Sequence, residues 1–205
     1  NGNSLMLASM VKEFGGIPKI LPVASDNELD IYNILNSSTD CDLIITTGGV
    51  SVGKYDLIQK ALENFSRNKT EFWKIAMRPG KPLLFSKINK TPLIGLPGNP
   101  VSSGVCCLIF VNIAIRSMLG DTNEFPIFEN AILNGELSQN DQRFDFVRAN
   151  INYRSGNAYV TPITKQDSSM ITKFSYSDCL ITREPFDKIK SDGDIVKIFK
   201  FPNNI

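Results

Sequence analysis

The apolar positions of the amino-terminal part of the chain alternate between helical and strand spacing. In NGNSLMLASMVKEFGG, apolar residues recur every three or four positions, which predicts an amphipathic helix that is capped by Asn3 or Ser4 and stopped by glycine. IPKILPV follows as a strand whose prolines suit a sheet edge or a strand terminus. SDNELDIYNIL is a predicted second helix, capped by Asp26 or Asn27. This order of elements begins an alternation of helices and strands.

The alternation continues through the next eighty residues or so. A short buried strand covers Cys41–Thr47, because its β-branched run is too short for a helix, and a helix follows from about Leu57 to Phe65. EFWKIAM, KPLLFSK and TPLIGL are predicted strands, and NPVSSGVCCLIFVNIAIRSMLG is a long buried helix with Asn99 as N-cap, Pro100 in the first turn and Gly120 as its stop. Alternating strands and helices predict a parallel α/β sheet.

The pattern changes from Glu124 onward. Short apolar runs alternate with Asn, Gly, Ser and Asp clusters at nearly regular spacing, in ENAILNG, FDFVRANI, AYVTPIT, CLITRE and DIVKIF. This texture predicts a small all-β unit, which we expect to be β-barrel-like. We place the boundary at about Thr122, so that residues 1–122 form the α/β domain and residues 123–205 the β domain.

Charge and composition narrow the classes of function. The 205 residues carry 22 basic and 21 acidic side chains, a net charge of +1, so the overall balance favours neither a nucleic acid nor an anionic membrane as partner. The longest apolar run, VCCLIFVNIAI, is too short to span a bilayer, and no signal peptide opens the sequence. We therefore expect a cytoplasmic protein in which any anion site is local.

The cysteines and the absence of histidine limit the chemistry further. Cys41, Cys106, Cys107 and Cys179 form no CxxC pair, which favours buried thiols over disulfides or zinc ligands. Without histidine there is no Ser-His-Asp or Cys-His arrangement and no imidazole metal site. Acid–base chemistry would fall to carboxylates or lysines.

Glycine lies beside polar residues where three of the predicted strands end. In TTGGVSVGKYD, Gly48, Gly49 and Gly53 free the backbone at the carboxyl end of a strand, where ligands bind in open parallel sheets and main-chain N–H groups can approach an anion. A strand-to-helix turn without a ligand explains this loop about equally well. Asp56 at its end is either a helix cap or, beside an anionic ligand, a carboxylate that carries a proton or orients a metal through water.

The second loop, MRPGKP, carries two cations. Pro79 and Pro82 fix φ on either side of Gly80, so that Arg78 and Lys81 are held on a stiff turn and form an oxyanion site. The alternative is a surface turn with solvated charges.

The third loop, GLPGNPVS, precedes the long helix. Pro97 and Pro100 bracket Gly98 and Asn99, and the first helical turn contains Ser102. Free N–H groups and the helix dipole would favour an anion there, and Asn99 can cap the helix at the same time. No Walker motif and no GxGxxG is present, which disfavours the usual nucleotide-kinase and dinucleotide folds.

Taken in this order, the three loops resemble the molybdopterin-binding domain of the MoeA family, which includes bacterial molybdopterin molybdenumtransferases and the E domains of their plant homologue and of animal gephyrin. The resemblance covers Asn1 to about Gly120. Arg148 in FDFVRANI and the stretch QDSSM extend it into the tail, where Asp167 replaces the family's usual glycine. It implies a three-layer α/β domain of the MogA and MoaB type, followed by a small all-β domain.

The resemblance also implies an activity, namely the last step of molybdenum cofactor synthesis. An adenylylated molybdopterin would be bound, molybdate inserted and AMP released by hydrolysis, with Mg²⁺ as an expected cofactor. A homodimer and a MogA-like adenylyltransferase would be the expected partners.

Carried over residue by residue, the resemblance implies three groups of site residues. The catalytic residues would be Asp56, Asp26 and Lys81. The pterin or nucleotide would contact Thr47, Gly48, Gly49, Ser51, Gly53, Pro97, Gly98, Asn99 and Pro100. The molybdate oxyanion would contact Arg78, Lys81, Ser102, Arg148 and Ser168.

The sequence departs from the family pattern in two ways, and two alternative functions stay open. Family members have two further domains upstream and a strand with an acidic motif before the first helix, so this sequence looks like a fragment that lacks its first strand and part of a site completed across a dimer. The alternative function is a non-catalytic, gephyrin-like scaffold that binds a peptide. The acidic and basic residues that this sequence retains in its loops favour an enzyme, because a scaffold need not keep them. A stand-alone pterin-binding domain of the MogA or MoaB type is disfavoured by the C-terminal β unit.

Overall fold

The computed structural model describes residues 2–49, 57–63, 72–73, 75–122, 126–163 and 174–202. In its α/β part the helices are α1 (Gly2–Glu13), α2 (Glu28–Asn36), α3 (Leu57–Ala61), α4 (Pro100–Cys106) and α5 (Asn112–Met118). The strands are β1 (Ile44–Thr47), β2 (Phe72–Trp73), β3 (Met77–Arg78), β4 (Leu84–Ile88) and β5 (Thr91–Leu96). A π-helical stretch, Cys107–Val111, joins α4 to α5 in one continuous helix.

The central sheet has the strand order β1-β5-β4-β2 in the described part of the chain. β1 and β5 are parallel, while β4 is antiparallel to both β5 and β2. The prediction of a parallel sheet is therefore wrong for two of its three described strand pairs. The short Asn89–Lys90 turn between β4 and β5 leaves no room for a crossover helix, so these two strands pair antiparallel.

Helices cover both faces of this sheet, which gives the predicted three-layer architecture. On one face α1 and the long helix pack against Ile94 and Leu96, and on the other α2 and α3 pack against Ile44 and Leu93. Leu93 and Ile94 are neighbours in β5, so their opposite faces follow from the strand's two-residue period. The sheet is buried between two apolar cores.

The long helix, Pro100–Met118, begins and ends as its sequence predicts. Asn99 is the N-cap, with its side chain accepting from the Ser102 N–H, and Gly120 follows the helix with φ of +82°. Within the described residues this helix is long and apolar enough to cross a membrane, contrary to the expectation from its central run. Because 67% of its apolar window is buried inside the protein, a core helix explains the composition equally well.

Two local predictions in the first thirty residues are wrong. IPKILPV forms no strand, and Ile17 is 99% exposed, because Pro18 and Pro22 cannot donate to a neighbouring strand. Helix α1 begins at Gly2, so Asn3 lies inside it rather than at its cap. The second helix does begin at a predicted cap, since the Asn27 side chain accepts from the Asp30 N–H.

The C-terminal part, described at residues 126–163 and 174–202, is built from β-strands as predicted and is called the β domain below. Its strands are β6 (Glu129–Leu133), β7 (Phe144–Arg154), β8 (Asn157–Pro162), β9 (Cys179–Arg183) and β10 (Ile195–Lys200). These described strands pair in the ring β7-β8-β6-β10-β9, which closes because β7 also pairs with β9. Closure removes most of the open strand edges, and the apolar interior contains residues such as Val147, Val160 and Ile198.

One strand crosses from the first part of the chain into the β domain. The stretch EFWKIAM, predicted as one strand, divides into β2 in the central sheet and β3, which pairs with β7 in parallel. The Phe144 N–H also donates to the Ala76 carbonyl at 2.8 Å. The α/β part is thus attached to the β domain by backbone hydrogen bonds as well as by side chains.

The two parts also share a hydrophobic core. Phe146, Phe174, Leu180 and Phe199 of the β domain belong to the same buried cluster as α1 and the long helix. A Cβ added at Gly104 of α4 would lie 2.6 Å from the Phe174 ring, so the absence of a side chain there lets the two parts approach closely. The relative position of the two parts is fixed by this packing.

Candidate functional site

Two of the predicted glycine loops meet at the carboxyl ends of β1 and β5. The Gly48 N–H donates to the Leu96 carbonyl at 3.2 Å, and a Cβ added at Gly98 would lie 3.4 Å from the Gly48 Cα. Gly48 and Gly49 have φ of +83° and +72°, a conformation that glycine adopts without strain. Gly49 and Gly98 are exposed, so the backbone of both loops is open to a ligand.

Thr47 links these loops to the long helix. Its Oγ1 donates to the Pro97 carbonyl at 3.1 Å and lies 3.3 Å from the Ser103 hydroxyl. The family resemblance implies that Thr47 contacts the ligand, and in the structure its hydroxyl is engaged in holding the two loops together. The geometry makes it a support of the loops at least as much as a contact for a ligand.

Asn3 is a member of this cluster that the sequence pattern does not predict. Its Nδ2 donates to Thr47 Oγ1 and to the Gly98 carbonyl, both at 2.9 Å, and the side chain is buried. The pattern predicts a helix cap at this position, and nothing in the local sequence distinguishes a cap from a cross-link to residues far along the chain. Asn3 connects α1 with both glycine loops.

The N-terminus of the long helix is less available to an anion than predicted. The Ser102 N–H donates to the Asn99 side chain, and the Ser103 N–H donates to the Asn99 backbone carbonyl. Pro100 has no N–H to offer. Within the described first turn, this leaves Val101 as the residue whose N–H has no assigned partner. Ser102, predicted to contact molybdate, is buried at the start of the helix.

The turn MRPGKP packs on the same helix, one turn beyond Ser103. Gly80 has φ of +113°, and a Cβ added to it would overlap the Cys106 sulfur and lie 3.2 Å from the Met77 Cε. The Cys106 Sγ lies 3.9 Å from the Gly80 carbonyl oxygen, and burial raises the pKa of this thiol to about 12, so it stays protonated. Packing on the helix thus constrains the turn in addition to the prolines, and its stiffness stays a prediction.

The two cations of this turn have different surroundings. Lys81 is exposed and makes no ion pair among the described residues. Arg78 donates from Nε to Asp145 Oδ1 at 3.1 Å and from Nη2 to Asp145 Oδ2, and from Nη1 to Asp141 at 3.3 Å. In this structure the Arg78 guanidinium is thus engaged by two carboxylates of the β domain, and its contact with molybdate stays a prediction.

The partners of Arg78 belong to a charged network on the β domain. Asp145 is buried, and its hydrogen bond raises the pKa of the Arg78 guanidinium. Hydrogen bonds from Arg143 lower the pKa of the Asp141 carboxyl to about 2. The local sequence pattern does not predict these contacts, although a charged Asp145 inside the apolar strand FDFV is a signal that a buried partner is needed.

An open depression adjoins this network. It has a volume of about 390 Å³ and is lined by Lys81, Asp141, Gln142, Arg143 and Phe186. Lys81 comes from the α/β part and the other four residues from the β domain. Both parts of the chain thus contribute to this depression.

Two further predicted residues lie away from the glycine loops. Asp26 is exposed next to the N-cap of α2 and makes no hydrogen bond or ion pair within the described part of the chain. Arg148 is only 2% exposed, so its side chain is enclosed in the β domain rather than presented on the surface. Neither position tests the role that the family resemblance implies.

Several predicted site residues lie outside the described residues, namely Ser51, Gly53, Asp56 and Ser168. Among the residues that the structure does describe, no group of three or more Cys, Asp or Glu side chains could hold a metal ion. Mg²⁺ is commonly held by one or two carboxylates together with substrate phosphates, so the expected Mg²⁺ cofactor stays a prediction.

The cysteines are free thiols, as predicted, and burial raises the pKa of Cys179 to about 12. Cys41 differs from the prediction in being only partly buried.

Comparisons with known proteins give two family matches. Residues 1–117 match the family described as a probable molybdopterin binding domain, and residues 130–201 match the MoeA C-terminal region, domain IV. The first match alone covers more than half of the chain.

Curated relatives match over most of this chain. It is 35% identical over 185 residues to a molybdopterin molybdenumtransferase of Haemophilus influenzae, which covers 88% of this chain and 45% of that protein. It is 33% identical over 159 residues to molybdopterin molybdenumtransferase 2 of Mycobacterium tuberculosis, which covers 75% of this chain and 39% of that protein. The chain thus spans less than half the length of these relatives.

Solved structures show the same fold. A molybdopterin biosynthesis MoeA protein from Pyrococcus horikoshii superposes with a TM-score of 0.73 at 26% identity, covering 97% of this chain and 46% of that one. A molybdenum cofactor biosynthesis protein from Pyrococcus furiosus superposes with a TM-score of 0.76 at 24% identity, covering 98% and 65%.

Proposed function

The chain belongs to the MoeA family of molybdopterin molybdenumtransferases, and from this membership we propose that it binds an adenylylated molybdopterin and takes part in the insertion of molybdate, with release of AMP. In this proposal its role is in molybdenum cofactor synthesis, and the pterin and the oxyanion are both substrates.

One observation carries the proposal: two open glycine loops and a lysine turn are arranged on one helix. Thr47 joins the glycine loops to Ser103, and Gly80 packs on Cys106. Ser103 and Cys106 are three residues apart, about 4.5 Å along the helix axis. A ligand with an anionic group at the glycine loops would therefore lie within reach of the turn that carries Lys81.

The two regions suit different parts of the substrates. The exposed backbone of Gly49 and Gly98 lets main-chain N–H groups approach a phosphate or a pterin without a side chain in the way. Lys81 supplies a compact cation, which favours contact with the oxygens of molybdate. In the proposal these residues bind and orient the substrates, and Asp56 and Asp26 remain the proposed acid–base groups.

The experiment uses the complete protein that carries this sequence. It is incubated with adenylylated molybdopterin, with and without molybdate, while AMP release and activation of an apo-molybdoenzyme are measured. We expect AMP release that depends on molybdate. Pterin binding with no AMP release under either condition would contradict the proposal and leave the scaffold alternative.

A variant tests the glycine loops themselves. Gly98→Val would place a branched side chain between the two loops, so we expect pterin affinity to fall about tenfold or more, because small displacements of binding groups are costly. Gly2→Val is the matched control, since a Cβ at Gly2 meets nothing within 4 Å. Equal affinities of the two variants would place the ligand elsewhere.

A further inference from the structure

We infer that Arg78 is a positioning residue, which fixes the Lys81 turn against the β domain through Asp145 and does not itself bind the oxyanion; this inference rests on the proposed function. No part of the family resemblance assigns a role to Asp145. Three observations support the inference: the contacts of Arg78, the hydrogen bonds that hold its partners in place, and the geometry of the turn.

All three guanidinium nitrogens of Arg78 donate to the β domain. Nε and Nη2 form a two-pronged contact with Asp145, Nη1 donates to Asp141, and Nη2 also donates to Asn140 Oδ1 at 3.3 Å. An oxyanion that approached Arg78 would meet two carboxylates of its own sign and would have to replace them. The planar fork of arginine suits such a carboxylate contact.

The partners of Arg78 are themselves held in place. Asp145 is 8% exposed and pairs with Arg78 in the register of β3 and β7. Asn140 is buried, and its Nδ2 donates to the carbonyls of Arg143 at 2.8 Å and Glu184 at 2.7 Å. Arg78 is therefore bound to a rigid part of the β domain.

The other half of the turn carries Lys81. The Ile75 N–H donates to the Lys81 carbonyl at 3.0 Å, which closes the turn, and Gly80 packs on Cys106 between them. Because Arg78 is only three positions from Lys81 in this closed turn, its attachment to Asp145 sets where the lysine ammonium lies relative to the β domain. Loss of the attachment would leave the ammonium present but less well placed.

The two possible roles of Arg78 predict opposite effects of Asp145→Asn. If Arg78 were an oxyanion ligand, removing the carboxylate would release its cation and reduce repulsion, so molybdate would bind more tightly. If Arg78 is a positioning residue, the same change loosens the turn and molybdate binds more weakly. Arg78→Lys keeps the charge but loses the fork, so a positioning role predicts the same effect as Asp145→Asn, whereas a ligand role predicts opposite effects of the two variants.

The test measures molybdate binding by titration calorimetry in the complete protein, loaded with adenylylated molybdopterin. We expect Asp145→Asn and Arg78→Lys each to raise the molybdate dissociation constant about tenfold or more, while pterin affinity changes by less than about threefold. The double variant should be no weaker than either single variant, since both remove one interaction. Glu129→Gln is the control, because it breaks the Glu129–Lys200 ion pair elsewhere in the β domain.

A second measurement does not depend on the activity. Amide hydrogen exchange at Ile75 reports the hydrogen bond that closes the turn, and we expect it to be about tenfold faster in Asp145→Asn than in the wild type. Tighter or unchanged molybdate binding in Asp145→Asn, or unchanged exchange at Ile75, would overturn the inference. A wild-type protein that binds no molybdate would overturn the proposed function instead, and the exchange rates would still decide whether Asp145 holds the turn.

Discussion

At the scale of single residues, Asn3 connects three segments that are far apart in the sequence. It joins α1 to Thr47, 44 positions away, and to Gly98, 95 positions away. Its side-chain amide, which projects from α1, thus joins the loops that follow the parallel strands β1 and β5. The open backbone at Gly49 and Gly98 depends on such supports.

We expect Asn3→Ala to lower the free energy of unfolding by about 1–3 kcal/mol, because the Gly98 carbonyl and the Thr47 hydroxyl lose a buried donor. Urea unfolding measures the change, and the exposed Asn36→Ala at the end of α2 is the control. Pterin affinity should fall in the same variant. A loss no larger than that of Asn36→Ala would mean that Asn3 does not support the loops.

Lys81 differs from Arg78 in having no described carboxylate partner. We expect Lys81→Met to weaken molybdate binding by about 1.5–3 kcal/mol, the range for a hydrogen bond to a charged group, and to change pterin binding much less. Titration of each ligand separates the two effects, with the exposed Lys87→Met in β4 as control. Equal losses for both ligands would indicate a general effect on folding.

At the scale of elements, the MRPGKP turn and the long helix form one packed unit. Gly80 needs both a positive φ and close contact with Cys106, so two separate physical terms require glycine there. The contact of Gly80 with Cys106 thus holds the turn against the long helix.

We expect Gly80→Ala to destabilise the protein by about 2–5 kcal/mol, because backbone strain and overpacking add together. Gly193→Ala is a matched control, since Gly193 has φ of +87° but open space around it, so about 1–3 kcal/mol of strain alone is expected. Thermal unfolding in a double variant with Cys106→Ala should recover part of the loss. Equal losses at Gly80 and Gly193 would show that the contact with Cys106 is unimportant.

At the scale of the whole molecule, the α/β part and the β domain are joined in three ways. They share an apolar cluster, β3 pairs with β7, and Arg78 is bound by carboxylates of the β domain. The charged contacts are the ones that respond to pH. Asp141 lies between Arg143 and Arg78 and next to Lys81 in the open depression.

The pKa of Asp141 is about 2 in the folded protein, below the value of about 3.9 expected in an unfolded chain. Its ionised form therefore stabilises the fold above about pH 4, and this stabilisation is lost as the pH falls towards about 2. We expect Asp141→Asn to be less stable than the wild type at neutral pH, and the difference to shrink across that window. Chemical unfolding at a series of pH values measures it, with the exposed Asp26→Asn as control.

A difference that stays constant from neutral pH to about pH 2 would contradict the assignment to Asp141.

The sequence by itself determined the helices, most of the strands and the chemical character of the loops. Asn27, Asn99 with Pro100, and Gly120 set helix ends through contacts within a few residues, so a local pattern was sufficient. The five strands of the β domain follow from their alternation for the same reason. The order of the three glycine loops along the chain was also enough to indicate the family.

Only the tertiary structure decided which residues those elements and charges meet. It divided EFWKIAM between two sheets, left IPKILPV without a partner strand and made two of the three described strand pairs of the central sheet antiparallel. It also paired Arg78 with Asp145, 67 positions away, and turned Asn3 from an expected cap into a cross-link. These outcomes depend on which surfaces pack together. The residues next to a cation or an amide in the sequence do not indicate which distant residue it will contact in the folded protein.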